Sequence, residues 1–498
     1  MASPIQSTGG IRTLLCLALL GVLAAGCEPT PPPEFEPVEA TKKLIPEVRE
    51  GMTITNEAGE TVELAGITET VRNRFGTLAD PKVWPILPID FGGTPAVVEK
   101  VISPTKDEAD AAQDAEKPFT SLTLVVAAET GHELSALPKD AQIGWVKGEY
   151  EGALAEVAQF DPKTGQLTLT GTFDNGLPDL EDQLLLSPGA MLAKGQALYN
   201  RHCMHCHGAT GDGSGPTAPY LHPKPRDFRL GTFKWKSTEL TEKISRADMI
   251  DTLRDGIPGT SMPAFRMLPQ EELHAIGEYV RWLSMRGEYE NMLAEMAAGG
   301  YEFTKEVYQE RIADGETREE ILEEIQEYLQ YDMADGGEGE DLAEAWSDAN
   351  EESALVVPEI ARVPSTPESR ARGRTLYMSD RAKCASCHGP YGRGDGPQTV
   401  GFTRNVETDE FYDELGLYDT WGQPIDPRDL TKGIYHGGRR PIDLYRRISA
   451  GIKGTPMPGS GGTLTDQEIW DLVNFVMQVP YEDLPEPGSG KAVVSSGH

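Results

Sequence analysis

Positive charge is scarce in this chain: 45 Lys+Arg stand against 80 Asp+Glu, a net charge of −35 over 498 residues. That deficit excludes nucleic acid as a partner, because little is left over to neutralise a phosphate backbone. Cysteine is scarcer still, at six residues, which excludes a disulfide-dense scaffold. Aromatic residues make up 7% and hydrophobic residues 38%, which is low for one compact body of this length. After residue 25 no apolar run approaches the roughly 18 residues of a membrane-spanning helix, so a polytopic membrane protein is excluded. Glycine (53) and proline (37) are plentiful, so folded units separated by loop-rich stretches are expected. The length suits roughly three domains of ~100–200 residues each.

The first 13 residues hold a single charge, Arg12, ahead of the apolar run Leu14 to Ala25. That run is too short to span a bilayer and fits the h-region of a signal peptide. It ends in Leu23-Ala24-Ala25-Gly26-Cys27, which resembles the lipobox of bacterial lipoproteins, with Ala24 where that family usually has leucine. The resemblance implies a signal peptide over 1–26 and a lipid on Cys27. Pro29, Pro31, Pro32, Pro33 and Pro37 then make a stiff, extended tether over 27–40. The expected location is the periplasmic side of a bacterial membrane, with the exported body held there by its lipid.

Cys16 leaves with the signal and Cys27 takes the lipid, so four cysteines remain. They form two runs, Cys203-Met204-His205-Cys206-His207 and Cys384-Ala385-Ser386-Cys387-His388. Both read C-x-x-C-H, the attachment signature of c-type haem. Two thiols three residues apart can each form a thioether with a haem vinyl group, and the adjacent histidine then projects onto the iron. Zinc sites and thioredoxin-like motifs also pair cysteines, but neither needs a histidine in that place twice. Two covalently bound haems, each with iron, are expected.

The two runs belong to an internal repeat. His207 to Pro216 and His388 to Pro397 both fit H-G-x-x-G-x-G-x-G-P. Pro225-Arg226-Asp227-Phe228 matches Pro427-Arg428-Asp429-Leu430, and the segment Gly256 to Pro263 matches Gly451 to Pro458. Met262 and Met457, each followed by proline in these matched loops, are candidate distal iron ligands. His222 and His436 are competing candidates, although they fall at non-equivalent places in the repeats. Arg226 and Arg428 have two readings: partners of haem propionates, because a guanidinium suits a carboxylate, or surface arginines in a turn. Gly195-x-x-Leu198-Tyr199 and Gly373-x-x-Leu376-Tyr377 open the units on a helix. Leu273, Ile276, Val280 and Leu283 close the first at helical spacing, and Ile469, Leu472, Val476 and Val479 close the second.

On these motifs each unit, 190–286 and 367–482, resembles a class I cytochrome c domain. The resemblance implies an all-α fold whose first and last helices cross, with His207/Met262 and His388/Met457 as the axial pairs. It also implies that a proline carbonyl, at Pro216 and Pro397, accepts the ring N–H of the proximal histidine. The Pro-Arg-Asp runs resemble dihaem cytochromes that serve respiratory or molybdenum-containing oxidoreductases. The second unit departs from the first in about 20 extra residues near 401–421, which would cover a haem edge or form a docking surface.

Residues 41–185 read as a β-rich domain, with a hairpin turn at Asp161 to Gly165. Residues 288–359 carry 23 Asp+Glu and 3 Lys+Arg and read as an acidic helical linker (287–362), either a spacer or a docking surface for a basic redox partner. Residues 483–498 read as a flexible tail. The expected fold class is therefore mostly α: two cytochrome domains joined by the acidic linker and preceded by the β-rich domain. The expected function is electron transfer to and from redox protein partners, including a membrane-bound oxidoreductase complex. The alternative is a redox enzyme, a dihaem peroxidase or sulfur-compound dehydrogenase, in which one iron is open.

Overall fold

A computed structural model describes residues 34–55, 59–105, 118–174, 176–333, 337–405 and 408–482. The signal segment, Cys27, the prolines at 29–33 and the tail at 483–498 lie outside the described residues.

The first cytochrome-like unit opens with the helix Ala190–His202 and closes with Gln270–Glu295; the second opens with Pro367–Tyr377 and closes with Asp466–Gln478. In each unit these leading and trailing helices pack across one another. The crossing depends on one glycine per unit. A Cβ on Gly195 would collide with the Ala275 carbonyl, and one on Gly373 with the Asp471 carbonyl. Next to each crossing a buried tyrosine meets an aromatic ring of the trailing helix, Tyr199 with Tyr279 at 5.3 Å and Tyr377 with Phe475 at 5.2 Å. Their hydroxyls donate to the carbonyls of Gly208 and Gly389, both at 2.8 Å, just past the C-x-x-C-H runs. The G-x-x-L-Y motif thus does two things: it lets the helices touch and it ties the attachment loop to the crossing.

Between residues 94 and 186 six antiparallel strands close into a barrel. They are β3 (Thr94–Ser103), β4 (Phe119–Ala128), β5 (Gln142–Lys147), β6 (Leu154–Asp161), β7 (Gln166–Phe173) and β8 (Gln183–Leu186), in the order β3-β4-β7-β6-β5-β8. The remaining strands ahead of it, β1 (Gly51–Thr55) and β2 (Thr61–Ala65), form a separate hairpin. Alternation puts Leu122, Leu124 and Val126 of β4 and Leu167 and Leu169 of β7 inside with Trp145, so side chains fill the barrel. Closure also leaves no unpaired sheet edge. Helix accounts for 39% of the described residues, so the protein is a composite of α and β rather than mostly α.

The other differences from the sequence reading concern what surrounds the first unit. Its trailing helix runs to Glu295 and is buried on nearly every side. Helix Ile67–Phe75 packs on it through Phe75, whose ring lies 5.9 Å from Trp282. The end of the proline-rich segment, expected to be an extended tether, docks here too: Val38 N–H donates to Glu290 at 3.0 Å, and Arg286 stacks on Phe35 at 3.7 Å. The acidic segment is not a spacer. Its helices Arg318–Glu327 and Gly337–Asp348 are amphipathic, and Ile321, Ile325, Leu342 and Trp346 enter the same core as Leu283 and Tyr289, whereas Lys305–Ala313 buries no residue. Glu306, Glu310, Glu319, Glu323 and Glu327 face solvent. Periodicity within a charge-rich run therefore decided its fate, because two large apolar side chains on one face, Ile321 and Ile325 in one helix and Leu342 and Trp346 in the other, dock it. The second unit keeps its own smaller core around Trp470, Leu472 and Phe475.

Candidate functional site

Both C-x-x-C-H runs lie at helix starts behind the leading helices, Met204–His207 and Cys384–His388. The following glycines, Gly208 and Gly389, take φ values of 76° and 75°, which turn the chain back under the histidine at no steric cost. Each histidine ring is held the same way: His207 Nδ1–H donates to the Arg226 carbonyl at 3.1 Å, and His388 Nδ1–H to the Arg428 carbonyl at 3.0 Å. A carbonyl can only accept, so the proton sits on Nδ1 and the Nε2 lone pair is left for a metal. Burial pushes the His207 imidazole down to about 4 and also lowers that of His388, which favours the neutral form of the ring, the form that ligates iron.

These carbonyls correct one expectation. Pro216 and Pro397 are exposed and accept nothing from the histidines. The orienting carbonyls belong to the Pro-Arg-Asp runs, which pass beneath the rings because Phe228 and Leu430 N–H groups donate to Gly211 and Gly392 at 2.7 Å each. Phe228 adds a contact that sequence reasoning missed: its ring stacks on His207, 4.6 Å between centroids and 21° between planes. Leu430 holds the equivalent place in the second unit.

The methionine loops superpose bond for bond. In the first, Thr260 Oγ1 donates to the Ile257 carbonyl at 2.8 Å and accepts from Met262 N–H at 3.1 Å, while Ile257 N–H donates to the Met262 carbonyl at 3.2 Å. In the second, Thr455 Oγ1 donates to Ile452 at 2.8 Å and accepts from Met457 N–H at 3.2 Å, and Ile452 N–H donates to the Met457 carbonyl at 3.1 Å. The Gly-x-x-Gly-Thr-x-Met-Pro spacing is therefore the sequence of a closed loop that presents the methionine.

All four cysteines, both histidines and both methionines line one continuous cavity of about 950 Å³. The donor set, the neutral imidazoles and the largely apolar walls fit c-type haem at both places. Among the described residues no cluster of three His, Cys, Asp or Glu side chains suits a bare metal ion. Arg226 and Arg428 line the same cavity, and burial pushes the Arg226 guanidinium down to about 10, still charged at neutral pH. His222 and His436 also line it; His222 is exposed, while the His436 ring lies 5.7 Å from Trp235.

The cavity is shared because the two units dock on each other. Lys234 of the first forms a buried ion pair with Asp419 of the second at 2.9 Å. Lys453 donates to the Thr241 carbonyl at 3.2 Å, and Arg226 stacks on Trp421 at 3.6 Å. Trp421 and Asp419 sit on the turn between β9 (Leu417–Tyr418) and β10 (Pro424–Ile425), the hairpin at the end of the extra segment in the second unit. The only signal for them in the sequence is the insertion itself, which marks a place but not a contact.

Residues 192–284 and 370–480 match the family model for cytochrome c. No curated protein matches the chain. Among solved structures, a reducing HAO-like protein complex from Kuenenia stuttgartiensis is similar at 25% identity, over 57% of this chain and 95% of that one, with a TM-score of 0.39. The two family matches coincide with the two units built above. Covalently bound c-type haem and haem-based electron transfer or redox activity follow from them.

Proposed function

We propose that the protein is a dihaem c-type cytochrome that carries electrons singly between redox partners. The observation that carries this reading is the cavity into which both attachment motifs and both methionine loops open. Haem bound there supplies a one-electron couple, and His/Met ligation raises its potential. The chain's own residues do the rest. His207 and His388 are locked by the Arg226 and Arg428 carbonyls, and Met262 and Met457 are presented by hydrogen-bonded loops. His207 with Met262, and His388 with Met457, would hold each haem iron from both sides and leave no open position for a substrate, which favours a carrier over an enzyme.

The site is proposed to be exported and lipid-anchored through Cys27, on the strength of the apolar run and lipobox-like sequence before it. Among the described residues no helix is long and apolar enough to cross a membrane. Donor and acceptor are proposed to be redox proteins, one of them part of a membrane oxidoreductase. The exposed carboxylates of Lys305–Ala313 and Arg318–Glu327 would give a basic partner a salt-sensitive on-rate.

The test is the haem content of the purified holoprotein and its reduced spectrum before and after carbon monoxide. Two haems per chain and an unchanged low-spin spectrum are expected. A shift in about half of the haem would replace the carrier reading with that of an enzyme with one open iron.

A further inference from the structure

The contacts between the two units are reciprocal. Arg226 and Arg428 occupy the same place in the repeat, and so do Gly259 and Gly454. Each arginine gives its backbone carbonyl to the histidine of its own unit but turns its side chain toward the methionine loop of the other. Arg428 does so directly: a methyl group on Gly259 would fall 3.0 Å from its Nη1. Arg226 does so through an intermediary. Its guanidinium lies 3.6 Å over the Trp421 ring, and that indole covers Gly454 so closely that a methyl group there would collide with it. The turn that carries the indole is itself fixed. Asp419 accepts from the backbone N–H groups of Trp421 at 3.1 Å and Gln423 at 3.0 Å while holding Lys234, and the Thr420 backbone N–H donates to the Gly454 carbonyl at 3.1 Å.

We infer that Trp421 is a positioning residue for both redox sites at once, pressed between the Pro-Arg-Asp segment that orients His207 and the loop that presents Met457. The inference rests on the dihaem reading above. A proximal histidine's hydrogen bond sets its orientation and basicity, and the methionine loop sets the distal bond, so a side chain wedged between the two links their potentials. The link runs equally in both directions, because coupling between two binding equilibria is reciprocal. This gives the extra segment of the second unit a role: its hairpin delivers an indole to the first unit.

The experiment is a spectroelectrochemical titration of the holoprotein, paired with the paramagnetically shifted haem-methyl proton resonances, which report each site separately. In Trp421→Ala both sets of resonances move, and both reduction equilibria change about three- to tenfold, tenfold being 59 mV for one electron. Trp421→Phe, which keeps an aromatic face under the guanidinium, recovers at least half of each change. Should the alanine variant fail to fold by circular dichroism, Arg226→Lys weakens the stack while keeping charge and carbonyl, and the same paired shifts are expected. The inference is overturned if a folded variant moves one site and leaves the other at its wild-type resonances and potential, or moves neither. A wild-type protein with fewer than two haems, or one that binds carbon monoxide, would instead overturn the dihaem carrier reading before any variant is compared.

Discussion

The first and second cytochrome-like units hold their histidines and methionines with nearly identical bonds, yet they live in very different surroundings. The proximal hydrogen bonds are 3.1 and 3.0 Å, and both tyrosine hydroxyls reach their carbonyls at 2.8 Å. Around this common frame the first unit is sheathed by the segment carrying Phe35 and Val38, by Ile67–Phe75 and by the acidic helices Arg318–Glu327 and Gly337–Asp348. The second has a 13-residue trailing helix and a core mostly of its own. The site is thus a local construction, closed by contacts within each unit, and it tolerates any embedding that leaves the two helices crossed. What the surroundings change is how much of the rest of the molecule falls with each unit.

The comparison can be broken most severely by removing one attachment pair. Cys384→Ser with Cys387→Ser is expected to halve the haem content of the purified protein, read from its pyridine haemochromogen, and to remove the second unit's step from a calorimetric melt. The first unit's step should survive, since its core shares little with the second. Next in size is the pair that docks the units. Asp419→Ala leaves the buried Lys234 ammonium without its partner and should cost about 3–5 kcal/mol, seen in urea unfolding as a lower midpoint for the step of each unit.

Smaller changes sharpen the comparison. Gly195→Val and Gly373→Val both overfill a helix crossing, at about 1–3 kcal/mol each. The second should release haem-domain helicity at lower denaturant, because fewer neighbouring segments hold it. Tyr199→Phe and Tyr377→Phe each remove one buried hydrogen bond and should cost about 1 kcal/mol alike; unequal losses in matched denaturation curves would refute the equivalence of the two frames. Smallest is the one difference within the frame. Phe228→Leu makes the first unit copy the second and forfeits the stack on His207, worth about 0.5–1 kcal/mol of stability in the same denaturation assay.

Much of the site is legible in the sequence because its bonds are short-range. C-x-x-C-H and the Gly-x-x-Gly-Thr-x-Met-Pro loop close on themselves within a few residues, so spacing alone implies their geometry. The carbonyl that orients each histidine was misread for an instructive reason. Pro216 and Pro397 follow the attachment motif in sequence, but the ring points toward an irregular segment, 19 residues beyond His207 in the first unit and 40 beyond His388 in the second. No local pattern reports that return. Phe228, Trp235 and Trp421 escaped for the same reason, since an aromatic residue in a loop carries no mark of what it will lie against.

The acidic segment and the N-terminal region show a second limit. Charge and composition described 287–362 as solvated, which is true of its outer face. Ile321, Ile325 and Trp346 on the inner face decide that it packs, and they decide it only because Tyr289 and Leu293 are there to meet them. Likewise the strand signals of 41–185 located β structure but not its closure into a barrel over 94–186, nor the departure of 39–75 into the core of the first unit. Strand pairing and helix docking join residues far apart in the chain, and the partner's position is set by the whole fold.

By itself, then, the sequence determined the candidate chemistry: two C-x-x-C-H runs and two methionine loops in repeated order. Those are properties of side chains at fixed separations of a few residues, where covalent geometry leaves few options. The tertiary structure alone decided that both sites open into one cavity, which carbonyls orient the imidazoles, and that an indole from one unit rests on an arginine of the other. Such contacts depend on bodies brought together by burial of apolar surface, a force without direction or sequence register, so only the completed packing reveals where they fall.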